Sequence, residues 1–198
     1  MEERSSASGA KVGMWLFLCT EILLFGGLFL LYSVYRYRYP QDFHEASGEL
    51  NRFHGTLNTA VLITSSLSVA LAGHALSGQR QRRARLLVGA SLALGAGFLV
   101  VKGFEWGEKF THGLYPGSPV LLAKAKGEIL YFGLYFMMTG LHALHVLIGL
   151  GVLAAVLVLV RRGRVSAERP VVLENAGLYW HLVDMIWIFL FPLFYLIG

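Results

Sequence analysis

The chain has 198 residues, of which 56% are hydrophobic and only 15% are charged. A soluble domain rarely has such a composition, so the sequence argues against a soluble enzyme and predicts an integral membrane protein. The formal net charge of +5 does not indicate nucleic-acid binding, because no soluble basic surface exists to carry it. The single cysteine, Cys19, excludes an intrachain disulfide.

Five apolar segments of membrane-spanning length follow one another along the chain. They predict an all-α fold, namely an integral membrane bundle of five transmembrane helices that forms a single domain over residues 1–198. The first segment is too long for a signal-peptide core and lacks a small-residue cleavage site, so we expect it to be retained. The predicted helices lie at about 12–35, 54–77, 86–107, 129–160 and 174–197.

The distribution of lysine and arginine predicts how the bundle is oriented. Ten of these residues lie on one side of the predicted helices, and six lie in the loops on the other side, where acidic residues accompany them. Because positive loops favour the cytoplasm, we expect the N-terminus to be cytoplasmic and the C-terminus to be outside. The ten are Arg4, Lys11, Arg80, Arg82, Arg83, Arg85, Arg161, Arg162, Arg164 and Arg169.

The first predicted helix carries one carboxyl group near its middle. Glu21 lies about nine residues into this helix. A carboxyl at that depth is protonated, paired or turned to a polar cavity. No residue of the same helix is placed to pair with it locally. Two interpretations are therefore open: a functional or lipid-contacting role, and a structural one.

The second and third predicted helices carry different polar patterns. Asn58, Ser65 and Ser68 share a surface of small residues with Ala72 and Gly73 on the second helix, which favours close helix packing. The third helix has a polar cluster, formed by Lys102, Glu105 and Glu108, near its outer end. For Lys102 and Glu105 two interpretations are open: a functional pair, and a pair that extends its charged groups to the membrane surface.

The fourth and fifth helices each carry a polar stripe at helical spacing. We favour a hydrogen-bonded seam between these helices, in which His142 and His145 find partners on the fifth. Haem, copper or zinc ligation by His142, His145 and His181 is the alternative, but no second histidine pair and no Cys or Met cluster converges there. The stripes contain Tyr131, Tyr135, Thr139, His142, His145 and Gly149, then Glu174, His181 and Asp184 with Trp180 and Trp187 on a neighbouring face.

Five segments together resemble subunit III of the haem–copper oxidases. They occur in the family's order and cover nearly the whole chain. The most specific feature is "GLHALHV" followed some thirty residues later by "YWHLVDMIW". The segments are "TEILLFGGLF" at 20–29, "LNTAVLITSSLSVALAGHAL" at 57–76, "FEWGEKF" at 104–110, "TGLHALHVLIG" at 139–149 and "LYWHLVDMIWIFLFPLFYLIG" at 178–198.

This resemblance implies a non-catalytic subunit of a proton-translocating bacterial cytochrome c oxidase in aerobic respiration. Such a subunit has no redox centre, since haem and copper belong to its partners, the catalytic subunit I and subunit II. It binds phospholipid in the bacterial plasma (inner) membrane and supports assembly, proton uptake and durable turnover. Glu21 matches the family's buried carboxylate near lipid. The other matching polar positions are Glu105, Glu108, His142, His145, Glu174, Trp180, His181 and Asp184.

Several alternatives remain open at this stage. The mitochondrial-type subunit has two further helices before the segment that resembles "TEILLF". Five-helix forms occur among bacterial oxidases, including quinol oxidases and some enzymes whose missing helices belong to another subunit. Glu rather than Asp at position 21 favours a cytochrome c oxidase. A quinol oxidase subunit and an accessory protein of nitric oxide reductase are the other possibilities within the family.

Two alternatives lie outside the family. One is a stand-alone membrane cytochrome that uses His142, His145 or His181. The other is a small transporter with Glu21, Lys102 and Glu105 as its ion path, which the lack of an inverted repeat argues against. If the family interpretation holds, we expect the first and second helices to contact the catalytic subunit or its lipids.

Overall fold

The computed structural model describes the backbone of residues 2–196 and the side chains of residues 9–196. Within that range the chain forms seven helices and no strand. These are α1 (Glu2–Arg38), α2 (Pro40–Gly48), α3 (Arg52–Ser77), α4 (Gln81–Thr111), α5 (Pro119–Leu122), α6 (Lys126–Arg161) and α7 (Val171–Tyr195).

Five of these helices, α1, α3, α4, α6 and α7, are long and apolar enough to cross a membrane. The prediction of an all-α bundle with five membrane-spanning helices is therefore confirmed. The helices extend beyond most of the predicted ends, because polar turns such as 81–85 and 126–128 continue the helix beyond its apolar run. Residue 197, the predicted end of the fifth helix, lies outside the described residues.

The two short helices, α2 and α5, were not predicted. Each begins with a proline in its first turn, at Pro40 and Pro119, where the missing N–H is not needed. Only α2 is substantial, and it buries Phe43 against Tyr32 and Tyr131, with ring centroids 5.4 Å apart in both pairs. Helix α2 therefore covers one end of the bundle.

Helix α7 is the central element of the bundle. It packs against α1, α3 and α6, while α4 packs against α3 and α6. Helix α1 contacts α2, α6 and α7 but, among the described residues, makes no close backbone contact with α3 or α4. A groove is therefore left between α1 and α3 over one face of α7.

Glycines allow the closest approach of helices to α7. A Cβ atom on Gly149 would lie 2.7 Å from the Trp180 ring, and one on Gly95 would lie 2.8 Å from the same ring. Such distances are far inside van der Waals contact, so both backbones must lack a side chain here. Trp180 is thereby enclosed by α4 and α6.

The last turn of α7 is held by tyrosines from two other helices. Pro192 lies inside the helix, which nevertheless continues to Tyr195. The Tyr32 hydroxyl donates to the carbonyl of Leu193, and the Tyr131 hydroxyl donates to that of Phe194 at 2.7 Å. These bonds satisfy carbonyls that the end of a helix leaves without partners.

The two ends of the bundle differ in charge. We call the end where α3 and α6 finish and where α4 and α7 begin the arginine end, and the opposite end the α2 end. The predicted orientation, with the arginine end in the cytoplasm, remains a prediction, and Arg4 lies outside the residues whose side chains are described. The arginine end carries Arg80, Arg82, Arg83, Arg85, Arg161, Arg162, Arg164 and Arg169.

Candidate functional site

Glu21 of α1 meets His145 of α6 inside the bundle. Glu21 Oε2 lies 2.9 Å from His145 Nε2, and the side chains are only 13% and 10% exposed. The atoms are at ion-pair distance, although their angles do not satisfy a regular hydrogen bond. The other ring nitrogen, Nδ1, lies 2.8 Å from the carbonyl oxygen of Leu141.

The bond to Leu141 determines that one particular ring nitrogen of His145 carries a hydrogen. A carbonyl oxygen can only accept, so Nδ1 of His145 carries a hydrogen. The contact between Nε2 and the Glu21 carboxyl is then favourable with one proton on the pair, as an imidazolium beside a carboxylate or as a neutral imidazole beside a carboxylic acid. In both forms the pair has no net charge and can hold one exchangeable proton.

Aromatic and apolar side chains surround the Glu21–His145 pair. The Phe25 ring packs edge-on against His145 at 5.5 Å, and the Tyr179 hydroxyl donates to the backbone carbonyl of His145 at 3.0 Å. Next to the pair, an open crevice of about 270 Å³ runs between α1 and α7. Its lining is almost entirely apolar, and consists of Ile22, Phe25, Gly26, Phe29, Leu182, Met185, Ile186 and Phe189.

This arrangement differs from the expected seam between the fourth and fifth membrane helices. The side-chain partner of His145 is on α1, not on α7. His142 has no hydrogen-bond partner on either nitrogen within the described residues, and its ring lies 5.5 Å from Phe98 and 5.3 Å from Trp187. Two residues three apart on a helix point about 60° away from each other, which sends these histidines to different neighbours.

The polar residues of α7 also separate into distinct contacts. Glu174 forms a half-exposed ion pair with Lys11 at 2.7 Å, at the arginine end. Trp180 Nε1 donates to the Ser65 hydroxyl at 3.1 Å. His181 and Asp184 lie around one serine hydroxyl of α3, so none of the four residues partners His142 or His145 through its side chain.

Lys102 and Glu105 do not extend to the membrane surface. Their side chains are 2% and 0% exposed and lie 3.2 Å apart. Glu105 Oε1 also accepts from the hydroxyls of Tyr135 at 2.5 Å and Tyr195 at 2.6 Å. Of the two interpretations left open for this pair, extension to the membrane surface is not supported, because two tyrosines from α6 and α7 cover the pair and supply its hydrogen bonds.

The remaining member of the predicted outer cluster, Glu108, and its neighbour Lys109 have different surroundings. Glu108 is exposed and lies apart from the buried pair, whereas Lys109 is buried and donates to the backbone carbonyl of Glu49. Sequence reasoning missed Lys109. Its spacing was the available signal, because it is four residues after Glu105 and seven after Lys102, on the same helix face.

The small residues of α3 have different surroundings, and Ser65 is the one that faces α4. Ser65 and Ser91 exchange hydrogen bonds, each hydroxyl donating to the other's carbonyl at 3.1 and 2.9 Å. Asn58 is completely buried, and Ser68 bonds only within its own helix, to the Thr64 carbonyl. Ser65 is therefore covered by α4, whereas Ser68 stays partly exposed, and a partner contact of this helix remains a prediction.

Lys124, which precedes the membrane-spanning helix α6, forms an ion pair at 2.5 Å with Glu128 in the first turn of that helix. The hydrogen bond to Glu128 raises the pKa of the Lys124 ammonium above its ordinary value. Because the lysine pKa is raised in the folded protein, this contact stabilises the fold at pH values below the ordinary lysine pKa. Its contribution is lost as the pH rises through the raised pKa. The pair is therefore formed at neutral pH.

The described residues contain no group of three or more His, Cys, Asp or Glu side chains arranged to hold a metal ion. His142 and His181, the histidines considered for a bis-histidine haem, lie in separate environments. His142 packs among aromatic rings, while His181 Nδ1 bonds to Ser66 of α3.

Comparison with known proteins gives consistent matches over the chain. The protein family described as cytochrome c oxidase subunit III matches residues 48–198. Cytochrome c oxidase subunit 3 of Thermostichus vulcanus is 32% identical over 187 residues, covering 94% of this chain and 86% of the relative. Quinol oxidase subunit 3 of Bacillus subtilis is 28% identical over 204 residues, covering 100% and 92%.

A third relative combines two subunits in one polypeptide. Heme-copper oxidase subunit I+III of Aeropyrum pernix is 32% identical over 200 residues, which cover 94% of this chain and 22% of that protein. The similarity therefore occupies only a minor part of the combined protein.

Proposed function

The chain belongs to the cytochrome c oxidase subunit III family, and on this premise we propose that it is subunit III of a bacterial cytochrome c oxidase. In this proposal the chain is a multi-pass membrane subunit without a redox centre. It stabilises the catalytic subunit, binds phospholipid and sustains proton uptake. Electrons pass only through haem and copper in the partner subunits.

The Glu21–His145 pair is the observation that carries this proposal. Its two groups lie 2.9 Å apart in a largely apolar setting, where one shared proton would leave no net charge in the membrane. The neighbouring apolar crevice between α1 and α7 has the chemistry to receive an acyl chain. A lipid and a proton site would therefore lie side by side.

The fused relative supports contact with a catalytic subunit. In that protein, named subunit I+III, one polypeptide carries both parts. Helix α1 is the least buried of the five membrane-spanning helices, and it presents large apolar side chains such as Leu23 and Leu30 outward. We therefore assign the outward face of α1 to lipid or to the catalytic subunit.

Replacing Glu21 tests the proposal in the purified complex. Glu21→Ala should leave assembly largely intact but reduce the number of turnovers completed before inactivation, because the shared proton is lost. Glu174→Gln is the matched control, since its carboxyl is half-exposed and ion-paired at the arginine end. An unchanged turnover lifetime for Glu21→Ala would contradict a role in proton supply.

A quinol oxidase is the second candidate. Quinol oxidase subunit 3 of Bacillus subtilis aligns with the whole chain, with identity close to that of the cytochrome c oxidase relatives. Identifying the proteins that co-purify in mild detergent, and measuring oxygen consumption with reduced cytochrome c and with a quinol, distinguishes the two. Oxidation of quinol but not of cytochrome c would replace the first assignment.

A further inference from the structure

A polar crevice of about 460 Å³ lies at the arginine end, in the groove between α1 and α3. Its wall on the third side is α7. Near its mouth are Lys11 of α1, His74 of α3 and Glu174 of α7, and His181 lies deeper along α7. Seven residues of helix separate Glu174 from His181, or about 10 Å, so the crevice extends into the membrane-spanning part of the bundle.

His181, Ser66 and Asp184 lie together at the inner end of this crevice. Nδ1 of His181 lies 2.5 Å from the Ser66 hydroxyl oxygen. Asp184 lies one helical turn further along α7, and its carboxyl interacts with the same hydroxyl. Asp184 is only 7% exposed, and its Oδ1 has no hydrogen-bond partner within the described residues.

We propose that His181, Ser66 and Asp184 form a proton relay that connects the polar crevice to a buried protonatable carboxyl group. Since Nδ1 of His181 is engaged with Ser66, the other ring nitrogen, Nε2, is the one available to water in the crevice. The hydroxyl between imidazole and carboxyl can accept from one and donate to the other. This site is distinct from the Glu21–His145 pair.

The transfer balances atom by atom. Water in the crevice gives a proton to Nε2 of His181, and the Nδ1 proton passes to the Ser66 oxygen. The original hydroxyl proton of Ser66 passes to the Asp184 carboxylate. One proton leaves the water and one arrives on Asp184, while serine and imidazole keep their numbers of protons. The reverse sequence returns the proton.

The charged and titratable groups around the relay come from four helices. Lys11 and Glu174 compensate each other at the mouth, so they place no net charge there. His74 faces the same crevice from α3. From α6, His145 meets α7 through its backbone at Tyr179, and His142 meets it at the Trp187 ring. Proton movement along the relay therefore depends on the local hydrogen bonds, since the paired charges at the mouth compensate each other.

The test uses the protein in the assembly with which it purifies, reconstituted into lipid vesicles. Infrared difference spectra after a pH jump should show a protonated carboxyl band that Asp184→Asn removes. Ser66→Ala should slow the appearance of that band by about ten-fold or more, because the hydroxyl carries the proton. Ser66→Thr keeps a hydroxyl and should preserve the rate to within about two-fold.

Ser68→Ala is the matched control, since Ser68 lies on the same helix and bonds only to the Thr64 carbonyl. Its band should appear at the wild-type rate. If Asp184→Asn does not assemble, Asp184→Glu assigns the band by shifting its frequency. An unchanged rate in Ser66→Ala, or a carboxyl band that no Asp184 variant alters, would overturn the relay. Neither result depends on the turnover lifetime of Glu21 variants.

Discussion

Lys102 and Glu105 illustrate how single ionisable residues are accommodated inside the bundle. Neither side chain is more than 2% exposed, so both have lost their solvation. Removing two charges from water costs several kcal/mol per ion unless good geometry and further hydrogen bonds compensate. Here the Tyr135 and Tyr195 hydroxyls supply these bonds, and the ammonium also lies 5.2 Å from the Trp187 ring.

Removing one member of this pair should be more harmful than removing both. We expect Lys102→Met to destabilise the protein by about 3–5 kcal/mol, because Glu105 is left buried without its counter-ion. The double variant Lys102→Met with Glu105→Leu should recover much of that loss. Thermal unfolding of the purified protein in detergent measures the differences.

The exposed Lys11–Glu174 pair provides the comparison for this prediction. Its side chains are 49% and 45% exposed, so Lys11→Ala should change stability by less than about 1 kcal/mol. Equal effects of Lys102→Met and Lys11→Ala would contradict the interpretation of Lys102 as a buried counter-ion.

Individual residues were the least predictable part of the site. Helical spacing identified Glu21, Lys102 and Glu105 as polar residues in apolar segments, but it gave no partner for Glu21. That partner, His145, lies on a different helix more than a hundred residues later. Pairing across the bundle depends on helix rotation and packing, which a periodic pattern in one segment does not determine.

The helices of the bundle approach each other most closely at glycines, which have no side chain. Gly149 was predicted as the end of a polar stripe, whereas the structure uses it to admit the Trp180 ring. The five spanning helices were predictable because long apolar runs have few alternatives. Helix α2 was not, since nine residues with buried Phe43, Ala46 and Ser47 give too short a pattern to recognise.

Two glycines of α6 should respond in opposite directions to substitution. Gly149→Ala places a methyl group 2.7 Å from the Trp180 ring and should destabilise the bundle by about 1–3 kcal/mol. Gly151→Ala meets nothing within 4 Å, so the better helix propensity of alanine should leave stability unchanged or raise it by up to about 1 kcal/mol. Thermal unfolding of both variants, with tryptophan fluorescence, compares them directly. Equal stability would show that the crossing can relax.

For the whole molecule, the clustering of arginines is the strongest guide to orientation. Eight arginines lie at the arginine end, near the beginnings of α4 and α7 and the ends of α3 and α6. The α2 end mixes basic residues with acidic ones, including the Lys124–Glu128 pair. Composition therefore predicts the side of the membrane, although the packing of the helices is compatible with either direction.

Cysteine labelling tests this orientation. The two cysteines are introduced by Gln41→Cys and Glu168→Cys in a Cys19→Ser background. Gln41 is an exposed residue of α2, and Glu168 is an exposed residue of the loop at the arginine end. A membrane-impermeant maleimide should label Gln41→Cys in intact spheroplasts. It should label Glu168→Cys only after the membrane is permeabilised. The reverse pattern would invert the topology.

The contacts of α1 have a consequence for biosynthesis. This helix is made before α3 and α4, yet its membrane-embedded partners α6 and α7 are made after them. At roughly 5–20 residues per second, Glu21 waits on the order of ten seconds before His145 is synthesised. During that interval the carboxyl lacks the partner that it has in the folded bundle. The contacts of α1 within the bundle therefore form only after α6 and α7 have been made.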